Sequence, residues 1–199
     1  MRSTTIEFTQ EVIEEQYYQL EEFYKLLQFS RKTISTADSL DKFPKTNVID
    51  FILEYHCYAI TSSLDLLVIY KGLIHAKSRW EEIFFSKKAY LVIYESIVTY
   101  HKNQKKMHGL VKTKFNDLMP QLSALNLNLK RYKKLYFYDS KISQVRNQTA
   151  AHYSNDFFIY YPIVEELRQN EAVDAIEGYL ILIFEMKQIV TELFLKHKK

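Results

Sequence analysis

Three chemically active side chains fall within seven consecutive residues of the sequence. Arg146 carries a guanidinium, Asn147 an amide and His152 an imidazole. A guanidinium binds anionic groups through a planar fork of N–H donors. An imidazole, with an unperturbed pKa of about 6.5, exchanges protons near neutral pH. Residues 146–152 are therefore either a functional site or an ordinary stretch of helix, and the spacing has to be tested against both.

The helical phase of this stretch favours the ordinary interpretation when the chain is considered alone. At 3.6 residues per turn, positions six apart are rotated by about 600°, which leaves Arg146 and His152 roughly 120° apart around a regular helix. His152 instead continues the row of Ile142, Val145 and Thr149 at helical spacing. That row predicts a partly buried histidine with Arg146 on the surface. The two groups meet only at a helix end, at a bend, or across a symmetric partner.

The sequence lacks most other signatures of catalysis or cofactor binding. It has no glycine-rich phosphate loop, no His-x-x-x-His metal pair and no Gly-x-Ser-x-Gly elbow. The single cysteine, Cys57, excludes a disulfide framework, and its apolar surroundings predict a buried hydrophobic side chain. We expect no cofactor and no metal. The remaining five histidines lie apart in the chain and are expected at the core edge or the surface: His56, His75, His101, His108 and His197.

Composition indicates an all-α protein. Of the 199 residues 47% are hydrophobic and 15% aromatic, which is enough for a large core, whereas three glycines and three prolines are too few for the turns of a many-stranded sheet. Apolar residues recur at spacings of three and four over most of the chain. We predict one domain over residues 1–199, folded as a bundle of five or more helices.

Local signals place the predicted helices along the chain. Thr4 with Glu7, and Ser78 with Glu81, have the spacing of capping boxes that open helices. Residues 31–46 are expected to form a connection, and a second helix should begin at Thr46 or Asn47.

The site stretch is expected to lie in a late helix. Asp139 or Ser140 is placed to cap that helix, and residues 154–156 should end it. Pro162 is placed to begin a helical turn, and a final amphipathic helix is expected over residues 171–196.

Positive charge is concentrated between residues 102 and 134. This segment contains nine basic residues and one acidic residue, which gives it a net charge of +8, although the whole chain carries only +3. This asymmetry suits a polyanionic partner such as RNA, and equally a solvated helix face with a linker. Gly109, Pro120 and the alternating residues 125–129 predict a partly irregular insertion here. The candidate RNA-binding residues in it are Lys130, Arg131, Lys133 and Lys134.

The sequence gives no strong membrane signal. Asp65 interrupts the most apolar stretch and Glu185 the next, so neither reaches the roughly 20 apolar residues of a membrane span. Residues 1–7 lack the apolar core of a signal peptide. We therefore expect a soluble, cytoplasmic protein.

The string Arg-Asn-x-x-x-Ala-His from Arg146 to His152, late in an all-α chain and ahead of a final amphipathic helix, resembles the motif of the HEPN superfamily. Its members share an Arg, often followed by Asn or another polar residue, a few residues before a His. Residues 139–145 also resemble the approach to that motif, and the resemblance covers about residues 138–156. The earlier helices match in type only.

The resemblance implies a metal-independent endoribonuclease that acts as a homodimer, often in toxin–antitoxin or phage-defence systems. Arg146 would then hold the scissile phosphate, and His152 would move protons as the RNA 2′-hydroxyl attacks. Asn147 would orient either the phosphate or the histidine by hydrogen bonding. An antitoxin or other regulatory protein is the second partner it implies. One departure concerns regulation: where toxins silenced by a nucleotidyltransferase carry a Tyr two residues past the His, this chain has Ser154. The alternative is a non-catalytic helical module that binds RNA or protein.

Overall fold

The computed structural model of the chain describes residues 2–38, 48–150 and 156–197, and over these ranges the protein is all-α, which confirms the predicted bundle of five or more helices. The described α-helices are α1 (Arg2–Asp38), α2 (Val48–His75), α3 (Arg79–Lys114), α4 (Met119–Leu135), α5 (Ser143–Val145), α6 (Phe157–Glu165) and α7 (Gln169–His197). A 3-10 turn (Asn116–Leu118) joins α3 to α4, and two π-helical turns flank α5.

The apolar helix α2 forms the centre of the bundle. It packs against α1, α3 and α7, and its Ile52, Ile60, Leu66 and Leu73 are fully excluded from solvent. Among the described residues, α2 alone is long and apolar enough to cross a membrane, although Asp65 lies within it. The core helix of a soluble protein can meet the same criterion of length and composition.

The basic segment is more regular than predicted. Instead of a partly irregular insertion, residues 102–114 complete α3 and α4 begins at Met119, so the two helices form a hairpin. The alternating leucines were misleading because Leu127 is half exposed, whereas the buried residues of α4 recur at spacings of three and four: Leu122, Leu125, Leu129 and Tyr132. Pro120 is tolerated because it occupies the first turn of α4.

Several predicted helix boundaries are confirmed and others are wrong. Ser78 caps α3 as predicted: its hydroxyl accepts from the Glu81 N–H at 3.3 Å, and the Glu81 carboxylate accepts from the Ser78 N–H at 2.9 Å. Thr4 lies inside α1, which begins at Arg2 and continues to Asp38 through much of the expected connection. The proposed start at Thr46 or Asn47 lies outside the described residues.

Helix α6 also begins earlier than predicted. Its first residue is Phe157. Asp156 caps the helix, because the Asp156 carboxylate accepts a hydrogen bond from the Phe158 N–H at 2.9 Å. Pro162 therefore lies inside α6 and does not begin it. The expected last helix is confirmed as α7.

A buried histidine lies where α1, α2 and α7 meet. His56 is 3% exposed, its Nδ1 has no hydrogen-bond partner among the described residues, and the Phe23 ring lies 4.1 Å from it between centroids. Burial, and then the positive charge of Lys187 on α7, lower the pKa of His56 to about 4. The imidazole is thus neutral in the folded protein at neutral pH.

We predict that His56 destabilises the fold in acid. The pKa of His56 in the folded protein lies below the unfolded value of about 6.5. Its neutral form therefore contributes its full share of folding stability above pH 6.5. This stability is lost as the pH falls towards 4, by up to about 3 kcal/mol. In urea unfolding at pH 7 and pH 4.5, His56→Leu should lose less stability on acidification than the wild type. The control His75→Leu, at the exposed end of α2, should keep the wild-type difference; equal pH dependence in all three proteins would contradict the prediction.

Candidate functional site

The guanidinium of Arg146 is held by a carboxylate from the middle of α3. Its Nε and Nη2 atoms donate to the same oxygen of Glu95, Oε1, at 2.8 and 2.6 Å. The side chain of Arg146 is 29% exposed and that of Glu95 45%, so the ion pair lies at the edge of solvent. Charge-assisted bonds of this length fix the orientation of the guanidinium plane.

An aromatic ladder continues from the guanidinium towards α4. The Cζ atom of Arg146 lies 5.1 Å from the centroid of the Tyr94 ring, and Tyr138 stacks on Tyr94 at 5.5 Å with 8° between the ring planes. Lys133 Nζ lies 4.4 Å from the Tyr138 centroid on the α4 side. Two aromatic rings are thus stacked between two cations. Each cation–π contact is worth about 0.5–2 kcal/mol, depending on its exposure to water.

The buried position of Tyr138 favours its neutral form. Burial, and then the nearby Tyr94, Asp139 and Glu95, raise the pKa of Tyr138 well above its ordinary value. A neutral phenol retains the electron-rich face that a cation requires. We call Glu95, Arg146, Tyr94, Tyr138 and Lys133 the ladder residues.

Asn147 holds a further edge of the guanidinium. Its Oδ1 accepts from Arg146 Nη1 at 3.1 Å, and its Nδ2 donates to Ser143 Oγ at 3.4 Å. Within the described part of the chain, the bonds to Glu95 and Asn147 use three of the five N–H donors of Arg146. Two donors therefore remain for an incoming anion. Of the predicted site residues, Arg146 and Asn147 are brought together.

Two π-helical turns shape the backbone of the site. The first spans Tyr138–Ile142 and the second Arg146–Ala150, with the single turn of α5 between them. The phase estimate made for a regular helix does not hold over Arg146–Ala150, because the rotation per residue in the second π-turn differs from that of an α-helix. Single π-turns occur frequently at functional sites.

The predicted cap at Asp139 or Ser140 is wrong. The residue before the first π-turn is Phe137, a non-glycine residue in the left-handed region with φ of 50°. The N–H groups of Ser140, Lys141 and Ile142 all donate to the carbonyl of Phe137, at 3.2, 2.8 and 3.3 Å, and no side chain caps the turn. One carbonyl thus takes the place of the expected cap.

The row used to judge His152 is buried as far as the structure describes it. Ile142, Val145 and Thr149 are at most 4% exposed, and the Thr149 hydroxyl donates to the Val145 carbonyl at 2.7 Å. His152 and Ser154 lie outside the described residues. The choice between a core and a site histidine therefore stays a prediction.

The predicted RNA-binding residues separate into two groups. Lys133 turns towards the ladder, where it also lies 3.4 Å from the Asp139 carboxylate. Lys130, Arg131 and Lys134 are exposed on the last turns of α4, and the structure gives them no contact with Arg146.

A second basic row continues from the site along α3. His101, Lys102 and Lys105 are exposed, and they follow Tyr94 and Glu95 at helical spacing. Residues seven apart lie about 10 Å apart along a helix and differ by roughly 20° in direction. The exposed Lys102 and Lys105 therefore carry positive charge along α3 away from the residues that contact Arg146.

Sequence reasoning missed Tyr94, Glu95 and Tyr138. Glu95 lies 51 residues before Arg146. Both α3 residues sit inside a regular helix, where no spacing rule distinguishes them from neighbouring aromatic and acidic residues. Among the described residues, no three His, Cys, Asp or Glu side chains converge as a metal site.

No protein-family model matches the chain, and neither a curated protein nor a solved structure matches it.

We predict that glycine is favoured over alanine at position 137. Phe137→Gly should be more stable than Phe137→Ala by about 1 kcal/mol, because only the alanine carries a Cβ in the left-handed region. Comparing the two variants cancels the loss of the phenyl ring. Gly109 in α3 is the control: there Gly109→Ala, with no atom within 4 Å of the new Cβ, should raise stability by about 0.5–1 kcal/mol. Thermal unfolding that ranks alanine above glycine at both positions would contradict the assignment.

Proposed function

We propose that this chain is a metal-independent endoribonuclease of HEPN type, cytoplasmic and homodimeric, serving in a toxin–antitoxin or phage-defence system. The observation that carries the proposal is the preset guanidinium of Arg146. Glu95, Tyr94 and Asn147 hold it at the solvent edge with two N–H donors left over. A rigid, partly open guanidinium is suited to a phosphodiester, because its fork matches two phosphate oxygens.

The exposed cations support RNA as the substrate. His101, Lys102 and Lys105 continue along α3 from Tyr94 and Glu95, the residues that contact Arg146. A chain of phosphates bound along this row would leave one phosphate beside Arg146. Because each neutralised phosphate releases counterions, binding of this kind weakens as salt increases.

The proposed reaction needs a positioned phosphate and a proton carrier. Arg146 binds the scissile phosphate and stabilises the charge that develops on it. His152 removes the proton of the RNA 2′-hydroxyl as that oxygen attacks phosphorus, and a proton is then delivered to the departing 5′-oxygen. The products are a 2′,3′-cyclic phosphate and a 5′-hydroxyl. Asn147 maintains the guanidinium in the orientation that the phosphate requires.

Exposed aromatic side chains support the proposed homodimer. Helix α6 follows the motif directly, and Phe157, Phe158, Ile159 and Tyr161 are exposed on it, Phe158 to 92%. A contiguous apolar run of this kind on the surface is typical of an interface. Because α6 contacts the second π-turn, a second protomer packed on α6 would also lie close to the motif of the first protomer.

A non-catalytic RNA- or protein-binding module is the second candidate. The observation that favours it is the Glu95 carboxylate, which already balances the charge of Arg146. A guanidinium paired in this way serves as a structural tie between α3 and the second π-turn. In that case the basic row still binds polyanions, and His152 is a core residue.

We predict that cleavage of RNA in the presence of chelator depends on Arg146 and His152. Arg146→Ala should slow cleavage about 10²–10³-fold through loss of charge stabilisation, and His152→Ala about 10²–10⁴-fold through loss of proton transfer. His108→Ala, an exposed histidine on α3, is the control and should retain wild-type rates. Cleavage is measured on gels with a check for cyclic-phosphate ends, and folding by circular dichroism.

The results separate the two candidates. Equal cleavage by wild type and His152→Ala, or none by either, contradicts the ribonuclease. A fall in melting temperature for His152→Ala, with RNA binding retained, favours the core histidine of a binding module.

We predict that the basic row on α3 binds RNA electrostatically. Lys105→Glu should weaken binding about 3- to 10-fold at low salt and reduce the slope of log affinity against log salt by about 1–2. Lys77→Glu makes the same charge change before the start of α3, far from Arg146, and is the control. Fluorescence anisotropy with labelled single-stranded RNA measures both. Equal weakening by the two variants would show a response to net charge rather than to this row.

A further inference from the structure

A groove runs along α7 on the side facing the end of α4. Its larger part, of about 590 Å³, lies over Tyr90 beside the first π-turn, and a second depression of about 410 Å³ adjoins it along α7. The two parts share Leu135, Tyr136, Gly178 and Ile181, so they form one continuous surface. From Glu171 to Glu185 the groove follows 15 residues of α7, a rise of about 21 Å at 1.5 Å per residue step.

The groove has an apolar floor and rim. Leu135, Phe137 and Ile181 expose 66%, 64% and 62% of their surface there. The Tyr136 ring approaches α7 closely because residue 178 is glycine: a Cβ at that position would approach the Tyr136 hydroxyl to 2.9 Å. Exposed apolar side chains grouped in a concave surface indicate a binding site rather than scattered surface residues.

The charge of the groove is opposite to that of the basic helical hairpin. Four acidic residues of α7 line it, against two basic ones, Lys141 and Arg131; the acidic residues are Glu171, Asp174, Glu177 and Glu185. Glu171 pairs with Lys141, Glu177 accepts from the Tyr70 hydroxyl and Glu185 from the Asn128 amide. The acidic residues also affect Tyr90 at the floor of the groove. Burial, and then the negative charges of Glu171 and Asp174, raise the pKa of its hydroxyl.

We propose that this groove docks a basic amphipathic helix of a partner protein. Its length of about four helical turns exceeds what a small ligand fills, and it matches a helix of about 14 residues. Within residues 2–38, 48–150 and 156–197 there is no strand edge to which an extended peptide could add. Apolar side chains of the occupant contact Leu135, Tyr136 and Ile181, while its lysines and arginines face the acids of α7. The interaction does not require ribonuclease activity.

The groove also borders the candidate site. Phe137 and Lys141 line it, whereas Tyr138, between them in the same turn, stacks on Tyr94. An occupant therefore contacts the turn that supports the ladder residues.

The proposal is tested with a fluorescein-labelled helical peptide of about 18 residues that carries leucine on one face and lysine on the other. Anisotropy titrations of the full chain should give saturable binding. Asp174→Lys should weaken it at least about tenfold, because a lysine replaces an acid at the centre of the rim. Glu21→Lys, the same charge change on exposed α1, is the matched control and should bind as the wild type. Peptides with glutamate in place of lysine, or serine in place of leucine, should not bind.

Methyl NMR locates the peptide. The Ile181 methyl signal should shift on titration, whereas that of buried Ile93 should not. The proposal is overturned if the lysine peptide does not bind, if Asp174→Lys and Glu21→Lys bind equally, or if the serine peptide binds as tightly as the leucine peptide. If a second copy of this chain occupied the groove, analytical ultracentrifugation would show a dimer mass for the wild type and a lower mass for Asp174→Lys. That result would also overturn the proposal. None of these outcomes depends on RNA cleavage.

Discussion

The contact of Arg146 with Tyr94 and Glu95 determines where the motif lies in the folded protein. It joins residues 51 positions apart, and it places the guanidinium between a carboxylate and an aromatic face. At these exposures the ion pair adds only about 0–1 kcal/mol to folding stability. Its importance is therefore positional. Without Glu95 the long side chain of Arg146 would sample many rotamers, and any anion bound to it would have to restrict them.

The backbone around this contact departs from regular helix more than any other described part of the chain. Two π-turns and a left-handed Phe137 occur within fourteen residues. A non-glycine residue in that region costs on the order of 1–3 kcal/mol and persists only where the surroundings hold it. Here the buried row of Ile142, Val145 and Thr149 anchors one side, and the stacked Tyr138 anchors the other. Backbone strain of this kind clusters at functional sites, which supports the role proposed for Arg146.

The sequence allowed the fold to be predicted better than the site. Apolar spacing and the scarcity of glycine and proline predicted an all-α chain, and the Ser78–Glu81 pair placed the start of α3 correctly. Such signals are local, so they can be read from neighbouring residues. Leu127 shows the limit of such local signals. The alternating leucines were compatible with a strand, whereas in the structure tertiary packing buries one face of a helix and leaves Leu127 exposed.

The partners of Arg146 could not be predicted for a related reason. Spacing rules describe residues within a few turns of each other, whereas Glu95 reaches Arg146 only through the packing of α3 against the second π-turn. The π-turns themselves have no established sequence signal. Asp139 and Ser140 are good capping residues, yet the Phe137 carbonyl collects the N–H groups that they were expected to bind. The aromatic ladder thus follows from tertiary structure rather than from local preference.

The first π-turn connects two surfaces of opposite charge. On one side it presents Tyr138 to the ladder, from which the basic row of α3 extends; on the other it presents Phe137 and Lys141 to the acidic groove along α7. Phe137 has an unfavourable φ, and the turn that follows it is held by the buried Ile142 and by the stacked Tyr138. An occupant of the groove that displaced Phe137 or Lys141 would therefore act on the same turn that places Tyr138 against Tyr94. Because the two surfaces carry opposite charge, the proposed polyanion and the proposed basic helix would occupy separate surfaces on either side of this turn.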